Sequence, residues 1–167
     1  YRKSDSTAFS AALAQPYGIS IDANDNIYLS DSWNYVVRKI TARKTTLKVP
    51  SEYASIQAAI DYAVSGDTIL IDSGTYKEAL VMNKKTGLVL HGVDPKTSIL
   101  DGEGVNRILR ITEGKNNVIK NLTFQNGVAE SQDPHGGGGV KIENSENTTL
   151  RNLIFKNNYS WSNGSAI

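Results

Sequence analysis

Residues Asn116 to Gly127 read NNVIKNLTFQNG, and residues Asn147 to Asn158 read NTTLRNLIFKNN. Asn116, Ile119, Lys120, Asn121, Leu122, Phe124 and Asn126 recur as Asn147, Leu150, Arg151, Asn152, Leu153, Phe155 and Asn157, each 31 positions on. A unit this short, a strand pattern closed by asparagine-rich turns, cannot bury its apolar side alone and has to stack on the next unit. The repeat therefore predicts an all-β solenoid in which each turn lays its Leu, Ile and Phe on those of the next. Asn121, Asn126, Asn152 and Asn157 fall at equivalent corners, where stacked amides offset the cost of their own burial.

The preceding segment has the same rhythm. TILID, EALVM, GLVLHG and SILDG are short apolar strands separated by single turns, SGTY being one of them. No helix lies between them, which excludes an α/β sheet, where parallel neighbours need a helical crossover. One short helix is expected ahead of them, over about residues 55–65. Ser55 suits its N-cap, Ile56, Ala59, Ile60 and Ala63 share a face, and Gly66 is placed to stop it in the left-handed region.

The segments SIQAAIDYA, GDTILI and GTYKE, with the repeats NLTFQNG and NLIFKNN, resemble the N-terminal part of a right-handed parallel β-helix. The family is that of the pectate lyases, the pectin methylesterases and their non-catalytic relatives. The resemblance covers residues 47–167 and implies that the helix lies over the open end of the solenoid. Physics asks for the same thing, since an uncapped first turn exposes its core and an unpaired edge.

Residues 1–46 differ in character. QPYGISIDANDNIYLSDSWNYVVRKIT holds three strand-like runs, Gly18–Asp22, Asn26–Ser30 and Tyr35–Ile40, with a turn at ANDN. It resembles one NHL repeat, the blade unit of a family of β-propellers, through Pro16, Gly18, Ile19, Asp22, Asn26, Ile27, Tyr28, Leu29, Asp31, Asn34, Arg38, Lys39 and Ile40. A propeller needs about 4–8 blades, so a single one is either the tail of a truncated ring or a meander reused as a packing element. DANDNIYLSD does not make a calcium loop: counted from Asp22, the glycine and glutamate positions of such a loop hold Ile27 and Trp33.

Catalytic residues are not evident. The esterase motifs of the β-helix family (Q-D-T-L, D-F-I-F-G, L-G-R-x-W) do not occur. The acidic candidates Asp72, Glu78, Asp94, Asp101, Glu103 and Glu113 form no close pair at matching positions of neighbouring turns. Glu78 stands at an esterase-like motif position but reads as a turn residue, and His91 reads as flanking a turn. The four glycines after His135 lack the order of a phosphate cradle. The stretch His135–Gly139 is better read as a loop protruding between turns, a place where solenoids put contact surfaces. No metal site or cofactor is expected.

Tyr159 and Trp161 stand among polar turn residues. Either their rings stack on sugar faces, or they cover the side of the next turn. Sequons at Asn121, Asn147, Asn158 and Asn163 are either glycan acceptors or ordinary turn residues.

Bulk composition excludes other classes. With 39% hydrophobic and 21% charged residues the chain is neither disordered nor built for a membrane core. A formal net charge of +1, without a concentrated basic run, argues against nucleic acid. There is no cysteine, hence no disulfide framework or thiolate chemistry. The sequence stops at GSAI, where a new strand is due. Either the natural protein continues, or the open edge joins a second copy head to tail. These features favour an extracellular or cell-surface structural or adhesive protein, with itself or a polysaccharide as partner. The alternative is the front part of a polysaccharide lyase or carbohydrate esterase whose site lies further along.

Overall fold

Alternating small apolar runs make the strands, and their inward members make the core. The structure, a computed structural model, describes residues 12–23, 26–40, 45–129, 136–161 and 164–167. His135 and the sequon residue Asn163 lie outside the described residues. The chain divides into two compact units, with the boundary between residues 44 and 45.

The first unit is a three-stranded antiparallel meander of β1 (Pro16–Ile21), β2 (Ile27–Asp31) and β3 (Val36–Ile40). Asp31 is its internal tie. Its carboxylate is buried and accepts hydrogen bonds from the Ala14 N–H (2.8 Å), Asn34 Nδ2 (2.8 Å) and Arg38 Nε (2.6 Å). The Asn34 amide, together with the Ala14 N–H and the Arg38 guanidinium, holds Asp31 below the ordinary aspartate range although burial pulls the other way.

The second unit is mostly β and mostly parallel. Its strands are β4 (Thr46–Val49), β5 (Thr68–Ile71), β6 (Gly74–Tyr76), β7 (Leu80–Asn83), β8 (Val89–Gly92), β9 (Ser98–Asp101), β10 (Leu109–Thr112), β11 (Val118–Gln125), β12 (Val140–Glu143) and β13 (Thr149–Lys156). One parallel run places β4 beside β5, β5 beside β8, β8 beside the first half of β11, and β11 beside β13. A second sheet pairs β7, β10 and β12. The far half of β11 pairs with β9, and β9 with β6. Strand β11 serves two neighbours because it turns a corner at Asn121, whose φ is 54°.

Register stacks like on like. Leu47, Ile69, Leu90 and Ile119 pair in one buried column; Leu80, Leu109 and Val140 form another. Phe124 and Phe155 stack with ring centroids 5.4 Å apart and planes at 15°. Gly92 ends β8 where a Cβ would stand 2.0 Å from the Asn121 carbonyl oxygen, so the close passage of backbones at this corner requires glycine.

The helix α1 covers Ile56–Tyr62, shorter than the stretch of about 55–65 expected from sequence. It does not reach Gly66. Ala63 is already extended (φ −62°, ψ 139°), and Asp67 Oδ2 accepts the Val64 N–H at 2.9 Å. Gly66, with φ 87°, shapes the turn that follows. Ile56, Ala59 and Ile60 face the core.

Candidate functional site

The corner after β9, β11 and β13 assembles the most varied polar chemistry of the second unit. Gly102 N–H donates to the Gln125 carbonyl and Asn126 N–H to the Lys156 carbonyl, so three turns lie one over another. Asn126 (φ 56°) and Asn157 (φ 51°) take the left-handed conformation, which asparagine tolerates better than other residues with a Cβ. Further along, Tyr159 N–H donates to the Gly127 carbonyl and Ala129 N–H to the Tyr159 carbonyl, which fixes the backbone of the aromatic residue.

An open groove of about 560 Å³ results, lined by Lys77, Asp101, Glu103, Asn126, Asn157 and Tyr159 among others. Asp101 accepts from Gln125 Nε2 (2.8 Å), from Asn126 Nδ2 (3.1 Å) and from the Glu103 N–H (2.8 Å). Burial raises its pKa, but these three donors and the Lys77 charge outweigh burial and hold it below the ordinary range. Lys77 Nζ lies 2.8 Å from Glu103 Oε1, and the hydrogen bond and charge of Glu103 raise the Lys77 pKa. Tyr159 and Trp161 meet edge to face, centroids 5.3 Å apart and planes at 87°, and are 49% and 66% exposed. The groove thus offers Asp101 as a fixed ionised acceptor, the side chain of Glu103, amides, one ammonium and an aromatic wall. Such a set has the donors, acceptors and ring face that a hydroxyl-rich ligand with an apolar ring face could use.

The other sequence candidates are placed as follows. Asn152 Nδ2 donates to Asn121 Oδ1 at 2.8 Å, and Asn147 Nδ2 to Asn116 Oδ1 at 3.2 Å, each across 31 residues. The Asn126 amide turns to Asp101 instead of to Asn157. Among the described sequon residues, Asn158 has both ends of its amide bonded to backbone: its Oδ1 accepts the Gly127 N–H (2.8 Å) and its Nδ2 donates to the Phe124 carbonyl (3.0 Å). Asn121 lies beside His91, with Nδ2 to Nε2 at 3.3 Å.

Glu78 corrects the sequence reading. It is not an isolated turn residue: its two oxygens accept the N–H groups of Ile56 (2.9 Å) and Gln57 (3.0 Å), while Ser55 Oγ accepts that of Ala58 (3.1 Å). The open donors at the start of α1 are thereby filled.

Glu143 was not among the sequence candidates. Its Oε2 accepts from Arg110 Nε at 2.9 Å, and its Oε1 lies 2.9 Å from Lys141 Nζ. The hydrogen bond to Lys141, then that to Arg110, hold it ionised against partial burial. Arg110 and Glu143, with Asn83, Thr112 and Glu113, line a second groove of about 420 Å³. Only register brings Arg110 and Glu143 together, so no local motif could have marked them. Among the described residues no cluster of three or more His, Cys, Asp or Glu side chains could hold a metal ion, and no helix is long and apolar enough to cross a membrane.

No family model matches the chain, and no curated protein does. Among solved structures it is similar to a pectin methylesterase mutant in complex with a hexasaccharide, at 16% identity and a TM-score of 0.43. That match covers 70% of this chain and 48% of the other, so the chain spans about half the length of that protein.

Proposed function

We propose that residues 45–167 form turns of a right-handed parallel β-helix, and that this unit is a non-catalytic, extracellular or cell-surface module that contacts polysaccharide through the Lys77–Tyr159 groove. The β-helix reading rests on register: Thr46, Thr68, Val89, Val118 and Thr149 occupy one position in successive parallel strands. The meander before it is taken as a single NHL-like blade.

One observation carries the functional reading. A half-exposed tyrosine, braced by Trp161, stands beside ionised and amide acceptors already fixed by internal hydrogen bonds. Preorganised groups of this kind hold sugar hydroxyls without a further ordering cost. Affinity electrophoresis through gels containing defined neutral and acidic polysaccharides tests it. At least one polymer is expected to retard the protein, and Tyr159→Ala is expected to weaken that retardation about tenfold, a loss of roughly 1.4 kcal/mol. If no polymer retards the chain, or the variant runs like the wild type, the reading fails. Head-to-tail assembly, the other form a structural role could take, is read from light scattering after gel filtration of the same sample.

Glu143 motivates a second reading, a carbohydrate esterase or lyase, because a carboxylate beside Arg110 and Lys141 is a constellation found in acid–base sites. Two cations that keep it ionised suit electrostatic binding better than proton donation. Release of methanol or of unsaturated uronate from pectin, abolished by Glu143→Gln, would make this reading replace the first.

A further inference from the structure

The outward face of the sheet on β4, β5, β8, β11 and β13 carries a row of side chains paired strand to strand. Lys48 lies beside Leu70, Leu70 beside His91, His91 beside Lys120, and Lys120 beside Arg151. The neighbouring outward row is Thr46, Thr68, Val89, Val118 and Thr149. Neither row contains an acid. Composition does not explain this, because the chain has 17 acidic residues against 18 lysines and arginines.

Five cations elsewhere in the second unit are paired with acids. Lys77, Lys84, Arg110, Lys115 and Lys141 each lie within ion-pair distance of a glutamate. Among the described residues Lys120 and Arg151, like Lys96 and Lys156, have no such partner, but only Lys120 and Arg151 of these stand directly opposite one another on adjacent strands. Parallel strands are about 4.8 Å apart, and like charges directly opposite one another repel. The effect reaches His91, whose pKa is lowered by burial, then by Lys120, then by Arg151. A cost retained without an internal counter-ion is relieved by an external one.

We infer that this row is a binding surface for a sulfated polysaccharide, with ester sulfates lying across the strands at Lys120 and Arg151. Lysine and arginine heads are donors only, and these two residues occupy paired positions on an outward sheet face. An ester sulfate presents three acceptor oxygens in a tetrahedral array and can receive donors from two adjacent strands at once. A linear polymer matches charges repeated from strand to strand. The surface is distinct from the Tyr159 groove, so each can fail without the other.

The test is isothermal titration of the full chain with dextran sulfate, unsulfated dextran and polygalacturonate over a range of salt. Binding of dextran sulfate alone, or most tightly, is expected. In the double variant Lys120→Gln, Arg151→Gln the affinity should fall by about tenfold or more, and the log–log salt slope by about 2. Lys120→Arg with Arg151→Lys, which keeps both charges, should restore most of the binding, and Tyr159→Ala should leave it unchanged. Absence of dextran sulfate binding, equal binding by the folded charge-neutral variant, or tighter binding of polygalacturonate that the charge-neutral variant loses and Tyr159→Ala keeps would each overturn the inference.

Discussion

His91 stands between Leu70 and Lys120 on the outward face of β8, partly buried, with Asn121 against one ring nitrogen. Burial first, then the charges of Lys120 and Arg151, favour its neutral form. A folded-state pKa below the unfolded value of about 6.5 fixes the sign of its pH effect. As pH falls through about 6.5 the unfolded chain takes up the proton first, so this residue removes stability on the acid side until the folded ring also protonates. Titration of the ring by NMR is expected to give a midpoint below 6.5, moving upward but not fully restored in Lys120→Gln, since burial remains. A midpoint at or above 6.5 would refute the account. The asparagines show what single residues disclose in advance. Asn116, Asn121, Asn126, Asn144, Asn147, Asn152 and Asn157 all have φ between 49° and 56°, as turn chemistry foretells. What each amide then touches depends on the adjoining strand: Asn121 meets Asn152, but Asn126 meets Asp101.

At the scale of elements, α1 is seven residues long, too short to persist in water by propensity. Besides its own N-cap, it is held at both ends by residues in and around β7. Glu78 and Ser55 fill its first donors, Lys85 Nζ donates to the Ala63 carbonyl at 2.9 Å, and Gln57 bonds the edge of β7 through Val81 N–H (2.8 Å) and C=O (3.2 Å). Glu78→Ala removes two charge-assisted bonds and is expected to cost about 2 kcal/mol, lowering Tm by roughly 4–8 °C in a calorimetric scan. Glu78→Gln, which can accept only one of the two, should lose less. Equal stability of Glu78→Ala and wild type would contradict the capping role. Ser55 was legible as a cap because it adjoins its helix. Glu78 was not, because it lies 21 and 22 residues from the amides it serves. Arg110 and Glu143, 33 apart, were hidden for the same reason. The repeat revealed how strands recur but not where a tier of different length shifts the register, as between Val89↔Val118 and Val118↔Thr149.

Over the whole molecule, the two units share no sheet: β1, β2 and β3 pair only with one another, and the other two sheets draw only on β4 to β13. Every residue of the main hydrophobic cluster, from Leu47 to Val140, belongs to the second unit. The caps of α1 also come from that unit, and Asp31 is tied within the first. The strands β4 to β13, their main core and the caps of α1 are therefore all drawn from residues 45–167. Closely packed columns such as Leu47–Ile69–Leu90–Ile119 bury apolar surface at about 25 cal/mol per Å², and all of their members belong to the second unit. The chain shortened to residues 45–167 is expected to melt cooperatively within a few degrees of the main transition of the full chain, with unchanged far-ultraviolet signature of parallel strands. Hydrogen exchange should be slowest in β8 and the first half of β11, which have neighbours on both sides, and faster in β13, which pairs with β11 alone among the described strands. A shortened chain that fails to fold, or uniform protection across these strands, would mean that the meander supplies stability to the tiers beyond what the shared-sheet and core assignments allow.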